Sequence, residues 1–192
     1  MKYAIIGLCY YSFELDLSKT INAWEISRYY PEIKNAHNFM EDKYFGQWCE
    51  NMQGEMKQHG IYEKLFERRL VGELTYEQGR QTATADYNKN YPSTVYENKK
   101  ILAEYVNFLE EKGVKPIVVV MPATRYYTKF CDLGLKTRFY NDLQEVIGSR
   151  KIQVLDYFDK LDYPDEYWYH VNHFNKTGAK IFTEQLVKDI AW

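Results

Sequence analysis

Long apolar runs are missing from this chain. No segment of its 192 residues approaches the ~20 apolar residues that a membrane-crossing helix needs, so the sequence predicts no membrane span. Cysteine is scarce too. Cys9, Cys49 and Cys131 are odd in number, widely spaced and without a Cys-x-x-Cys pair or a neighbouring histidine cluster. That argues against a zinc site and against a disulfide framework, and it suits a reducing compartment. An excess of one charge is lacking as well: 25 Lys and Arg stand against 27 Asp and Glu, a net charge of -2. No basic face invites nucleic acid, and no acidic tail is present. Internal repeats and low-complexity tracts are absent.

The opening MKYAIIGLCYY holds one short apolar run, followed quickly by Glu14 and Asp16 and without a small-residue cleavage site. It reads as a buried strand rather than a signal peptide, so a cytoplasmic location is expected. The length fits a single domain over 1–192. Tyrosine is abundant, with 19 residues. Half-buried rings with wet hydroxyls are the expected reason, and a sugar-stacking surface is the alternative.

Three apolar segments predict strands: Tyr3 to Leu8, Pro116 to Met121 and Lys151 to Leu155. Helical patterns alternate with them. Thr94 and Glu97 read as a capping box ahead of Val95, Leu102, Val106 and Leu109, with Gly113 ending that helix. Leu135, Phe139, Leu143, Val146 and Ile147 form a second stripe, stopped by Gly148. Phe182, Leu186 and Ile190 lie on a third, with Asn175 as its N-cap. The alternation predicts parallel βαβ units, hence a three-layer α/β/α sandwich around a central parallel sheet with the first strand at its centre. Residues 35–92 form a less regular insertion: a short amphipathic helix at Ile61, Tyr62, Leu65, Phe66 and Leu70, then a long loop from Gly72 to Tyr91.

Ligands of open parallel sheets bind beyond the carboxyl ends of the strands. That selects Gly7-Leu8-Cys9-Tyr10, Pro122-Ala123-Thr124-Arg125 and the segment leading to the last helix, with its polar run Tyr169-His170-Val171-Asn172-His173-Phe174-Asn175. A thiol needs a base to become a thiolate at neutral pH, and a glycine beside it lets the backbone turn sharply. Gly7 and Cys9 with a histidine from the far end supply both. A small buried cysteine and a pair of structural histidines are the plainer alternative.

His173-Phe174-Asn175-Lys176-Thr177-Gly178 matches H-F-N-x-x-G, and the chain here resembles the C-terminal block of the SGNH/GDSL hydrolases. The opening AIIGLCYYSFELDLS resembles the family's first block, in which a strand runs into Gly-x-Ser. It is closer still to a divergent branch, similar to surface-polysaccharide acyl-transfer proteins and the D-alanyl transfer proteins of teichoic-acid loci. The resemblance covers both ends and the βαβ order between them. Two positions depart from the pattern: Cys9 stands at the serine nucleophile, and His170 stands three before His173, where the family has aspartate. The family's separate glycine block and its Gly-x-Asn-Asp block are not recognisable; Asn98 and Asn38 are weak substitutes.

The resemblance implies roles. Cys9 attacks an ester or thioester carbonyl, and His173 accepts and returns the proton. Neutral His170, or a carboxylate such as Asp165, orients His173. The backbone N–H of Tyr10 is an oxyanion donor, and Arg125 and Tyr127, with Asn98, contact substrate. Ser12 is the competing nucleophile, placed past the tight turn. No cofactor and no metal are expected, and the partner is a carbohydrate or an acylated small molecule. Two functions are implied: an esterase or O-acyltransferase acting on acyl groups of a carbohydrate or glycolipid, or a degenerate relative that binds a glycan or acyl-carrying partner without turnover. A flavodoxin-like nucleotide binder lacks its phosphate-cradling glycine loop, since Leu8-Cys9-Tyr10-Tyr11 is too bulky.

Overall fold

The computed structural model describes residues 2–17, 26–27, 47–52, 73–87 and 92–192. The amphipathic segment expected at 61–70 and Asn38 lie outside the described residues. The chain divides into two compact units: Met1–Leu15 with Arg69–Trp192, and Asp16–Arg68. In the second, residues 47–52 are helical and Cys49 is buried.

The first unit is a mixed α/β structure. Strands β1 (Lys2–Leu8), β2 (Val114–Val120) and β3 (Gln153–Asp156) form a parallel sheet in the order β1-β2-β3. Ile5 pairs with Ile117 and Val119 with Leu155. Parallel neighbours need crossovers, and helices provide them. Helices α1 (Tyr76–Tyr87) and α2 (Pro92–Glu111) lie between β1 and β2; α3 (Arg125–Thr128) and α4 (Leu133–Ile147) lie between β2 and β3. A short hairpin comes next, β4 (Trp168–His170) with β5 (His173–Phe174), and then α5 (Lys176–Asp189).

The parallel pairing of the three apolar segments is as expected; their order is not. Among the described residues β2, not β1, is the central strand. Ile117 to Val120 are at most 2 % exposed, whereas Ile5 on β1 is 51 % exposed. The Ile-Val-Val-Val run is continuously apolar because both its faces are covered. Val118 and Val120 pack against Leu102 and Val106 of α2 and Leu135, Phe139 and Leu143 of α4. Ile117 and Val119 pack against Phe182 and Leu186 of α5. Each such side chain contributes roughly 1.5–3 kcal/mol of burial free energy.

Helix ends obey local chemistry. Gly113, at φ 67°, and Gly148, at φ 60°, adopt the left-handed conformation that closes α2 and α4. Asn175 caps α5 by accepting from the Gly178 N–H at 3.0 Å. Thr94 is a correction. Helix α2 begins at Pro92, so Thr94 lies inside its first turn rather than at a cap; proline suits a first helical position because its missing N–H is not needed there.

The loop expected from Gly72 to Tyr91 is also corrected, because Tyr76–Tyr87 is helix α1. Thr75 and Gln78 start it with a reciprocal capping box, Thr75 N–H donating to Gln78 Oε1 at 2.9 Å and Gln78 N–H to Thr75 Oγ1 at 3.2 Å. The helix buries only small residues, Gly79 and Ala83. A Cβ on Gly79 would lie 1.9 Å from the Tyr126 carbonyl oxygen, so α1 meets α3 at backbone distance. Among the described residues, no helix is long and apolar enough to cross a membrane.

Candidate active site

The C-terminal end of β1 delivers Cys9 in a tight turn. Ser12 N–H donates to the Cys9 carbonyl at 2.9 Å, and Cys9 N–H donates to Ser12 Oγ at 2.8 Å. Ser12 is thereby folded back onto the turn. Asn98, from α2, ties down the backbone beyond it. Its Nδ2 donates to the carbonyls of Phe13 and Leu15 at 3.0 Å each, and to that of Ser12 at 3.3 Å. Asn98 thus holds the loop behind Cys9.

His173 arrives from the other end of the chain, on β5. The block that carries it is built by packing. Phe174 stacks on Trp168 with ring centroids 4.0 Å apart. Asn175 caps α5, and its Nδ2 donates to the Glu166 carbonyl at 2.6 Å. Gly178 approaches Tyr167 so closely that a Cβ would lie 2.1 Å from the Tyr167 carbonyl oxygen. Phe174, Asn175 and Gly178 therefore have structural work, while His173 is exposed.

Cys9 and His173 line one cavity of about 530 Å³. It is lined by Ile5 and Val119 of the sheet, by Met121 just beyond β2, and by Phe182 and Leu186 of α5. Tyr11, Tyr127 and Asn172 complete the end near Cys9. Cys9 is half-buried, and no disulfide involves Cys9, Cys49 or Cys131. Burial pushes the Cys49 and Cys131 thiols up from their ordinary range.

Asn172 is the junction of this site. Its Oδ1 lies 2.7 Å from His173 Nδ1 and 2.9 Å from His170 Nδ1. Its Nδ2 donates to Asp86 Oδ2 at 3.3 Å, and the Tyr127 hydroxyl donates to the same oxygen at 2.9 Å. The amide can face only one way. A carboxylate accepts, so the NH₂ edge points at Asp86 and the carbonyl edge at the histidines. Both imidazoles then carry a proton on Nδ1, and Nε2 is the basic nitrogen of each when neutral. His170 reaches the shared oxygen rather than His173 itself, the ring centroids being 6.0 Å apart.

Tyrosines enclose the junction. Burial, then the Asp86 charge, pushes the Tyr127 hydroxyl far above its ordinary range, so it stays a donor. Tyr11 is raised by burial and by its neighbours Cys9 and Asp86, and its side chain hydrogen-bonds Cys9.

The remaining expected side chains lie elsewhere. Tyr10 is buried in the core, its hydroxyl donating to Asp156 Oδ2 at 2.7 Å. Arg125 pairs with Asp165 at 3.1 Å and with Asp162 at 3.4 Å, and its Nη2 donates to the Tyr126 hydroxyl at 2.8 Å. Asp165 also accepts from the Tyr126 hydroxyl at 2.7 Å; these bonds tie it to α3 rather than to His173. Neither Arg125 nor Asp165 lines the cavity. Asn172 and Asp86 were missed from the sequence. Asn172 stands in the polar run already singled out. The signal for Asp86 was the Thr75-x-x-Gln78 capping box, which marks a helix that carries it. Among the described residues, no group of three or more His, Cys, Asp or Glu side chains is arranged to hold a metal ion.

Compared with family models, with curated proteins and with solved structures, the chain matches none.

Proposed function

We propose that this chain is an SGNH-like three-layer α/β/α domain that acts as an esterase or O-acyltransferase on acyl groups of a carbohydrate or glycolipid, with Cys9 as nucleophile. The observation that carries the reading is the shared cavity of Cys9 and His173, with His173 Nδ1 held by the Asn172 amide oxygen. A thiol, an imidazole and a group that fixes the imidazole's tautomer are the parts that acyl transfer through a cysteine requires.

His173 Nε2 takes the Cys9 proton, and the sulfur attacks the ester carbonyl, forming a C–S bond. The Tyr10 N–H donates to the oxyanion. Collapse breaks the C–O bond, and the imidazolium protonates the departing alcohol. Water or an acceptor hydroxyl then attacks the thioester while His173 takes its proton; the C–S bond breaks and the thiol is restored. The Tyr11 side chain, hydrogen-bonded to Cys9, is placed to donate to the sulfur through these steps. The largely apolar cavity suits the acyl side of the substrate.

Release of p-nitrophenol from a short acyl ester tests the proposal. Cys9→Ala and His173→Ala should each abolish release, and the double variant should lose no more than either, because residues acting as one unit are non-additive. Iodoacetamide should label Cys9 ahead of Cys49 and Cys131, whose thiols burial keeps protonated. A folded wild type without turnover that still binds a glycan or an acyl ligand in this cavity would make it a binding module on the same scaffold.

A further inference from the structure

We infer that Asp86 is the carboxylate of this site, delivered from α1 and coupled to His173 through the side-chain amide of Asn172. The inference rests on the proposed use of His173 as the base and adds a positioning residue to it. At the position three before His173 there is no acid in this chain, only His170. The Asp86 carboxylate, the Asn172 amide and the His173 imidazole form a continuous line, with 3.3 Å from Asp86 Oδ2 to Asn172 Nδ2 and 2.7 Å from Asn172 Oδ1 to His173 Nδ1. The line has one polarity. Negative charge on Asp86 draws on the amide N–H, which leaves more negative charge on Oδ1, where the Nδ1–H of an imidazolium donates. Hydrogen bonds in such a chain polarise one another.

Asp86 is itself held in place. Tyr127, 2 % exposed, donates to it from α3, and Gly79 lets α1 lie against that helix. Among the described groups placed beside His173 here, the Tyr169 ring at 5.4 Å, the His170 ring at 6.0 Å, and Cys9, Tyr11 and Tyr127 along the cavity, none is a carboxylate. Lys176 opens the next helix and is cationic. Asp86 is therefore the charge in this set that favours the imidazolium.

The test reads the His173 imidazole by NMR titration of the whole chain, which needs no turnover, beside the pH profile of ester hydrolysis. Asp86→Asn keeps an acceptor for Tyr127 and removes the charge. It should lower the His173 pKa by about one unit and move the acid limb of the rate profile down by the same amount. Combining Asp86→Asn with Asn172→Asp exchanges amide and carboxylate and keeps a donor facing an acceptor; it should return the pKa to the wild-type value or above it. If Asp86→Asn does not fold, Asn172→Ala breaks the line from the other side and should lower the same pKa. Unchanged His173 titration in a folded Asp86→Asn chain overturns the inference, even where Cys9-dependent turnover is intact. A shifted titration without turnover in the wild type leaves the coupling standing and removes the enzyme.

Discussion

Asp156 and Asp86 are both carboxylates that accept from tyrosine hydroxyls, and they are satisfied in different ways. Asp156, at the end of β3, has donors at both oxygens. Tyr10 and Tyr140 donate to Oδ2, and the Phe158 N–H donates to Oδ1 at 3.0 Å. Lys136 Nζ stands 3.8 Å from Oδ2. Burial pushes this carboxyl up, but the donors from Tyr140, Phe158 and Tyr10 outweigh it and hold the group below its ordinary range. Its partners belong to the core around Phe139 and Phe158. Asp86 accepts from Tyr127 and Asn172 at Oδ2, and the second of these donors leads through an amide to two imidazoles beside a cavity. The first arrangement closes on itself and uses its charge for stability. The second opens toward a side chain that can gain and lose a proton.

Replacing each aspartate by the isosteric asparagine gives the sharpest contrast. Asp156→Asn leaves one acceptor oxygen for donors on two sides, so its NH₂ faces a donor either way. It should cost about 2–4 kcal/mol, since buried donors lose their partner, and lower Tm by several degrees. Asp86→Asn keeps an oxygen for Tyr127 and should stay within about 1 kcal/mol of the wild type. Equal losses in thermal denaturation would erase the distinction between the two carboxylates.

A smaller effect separates them by pH. The folded-state pKa of Asp156 lies below the unfolded value of about 3.9. Its contribution is therefore fully present above that value and is lost as pH falls through the folded pKa. The drop in stability below about pH 4 should flatten in Asp156→Asn and persist in Asp86→Asn. Urea midpoints between about pH 2 and pH 5 check this, and identical slopes in wild type and Asp156→Asn would show that the carboxylate is not held ionised by its donors.

The sequence was most legible where burial imposes a period. The three parallel strands, the stripes of α4 and α5 and the stops at Gly113 and Gly148 all come from it. That Cys9 and His173 meet at one cavity was legible because strand ends and the H-F-N-x-x-G block marked both positions. What period could not show was α1, whose buried residues are Gly79 and Ala83 rather than large apolar side chains. It packs by backbone approach, and hydrophobic periodicity does not register that. With α1 hidden, Asp86 was hidden too, being 86 positions from Asn172 in the chain. Strand order was misjudged for a related reason. A run of apolar residues such as Ile117 to Val120 signals a strand covered on both sides, and that signal belonged to β2 rather than β1.

The smallest expected effect concerns that hidden helix. Gly79→Ala places a methyl group where the Tyr126 carbonyl oxygen lies 1.9 Å away, and the obstacle is backbone. Helix α1 must move off α3, at a cost of about 1–3 kcal/mol for overpacking. Alanine recovers about 1 kcal/mol of helix propensity, so the net loss should be about 1 kcal/mol and the fall in Tm about 2–4 °C. The displacement also carries Asp86, further along the same helix, away from Asn172. Gly79→Ala should therefore lower the His173 pKa in the same direction as Asp86→Asn while leaving the Asp156 core intact. A control at an exposed site of the same helix, Thr84→Ala, should change neither. If Gly79→Ala loses stability yet leaves the His173 titration at its wild-type position, α1 supports the fold without holding Asp86 in register with the histidines.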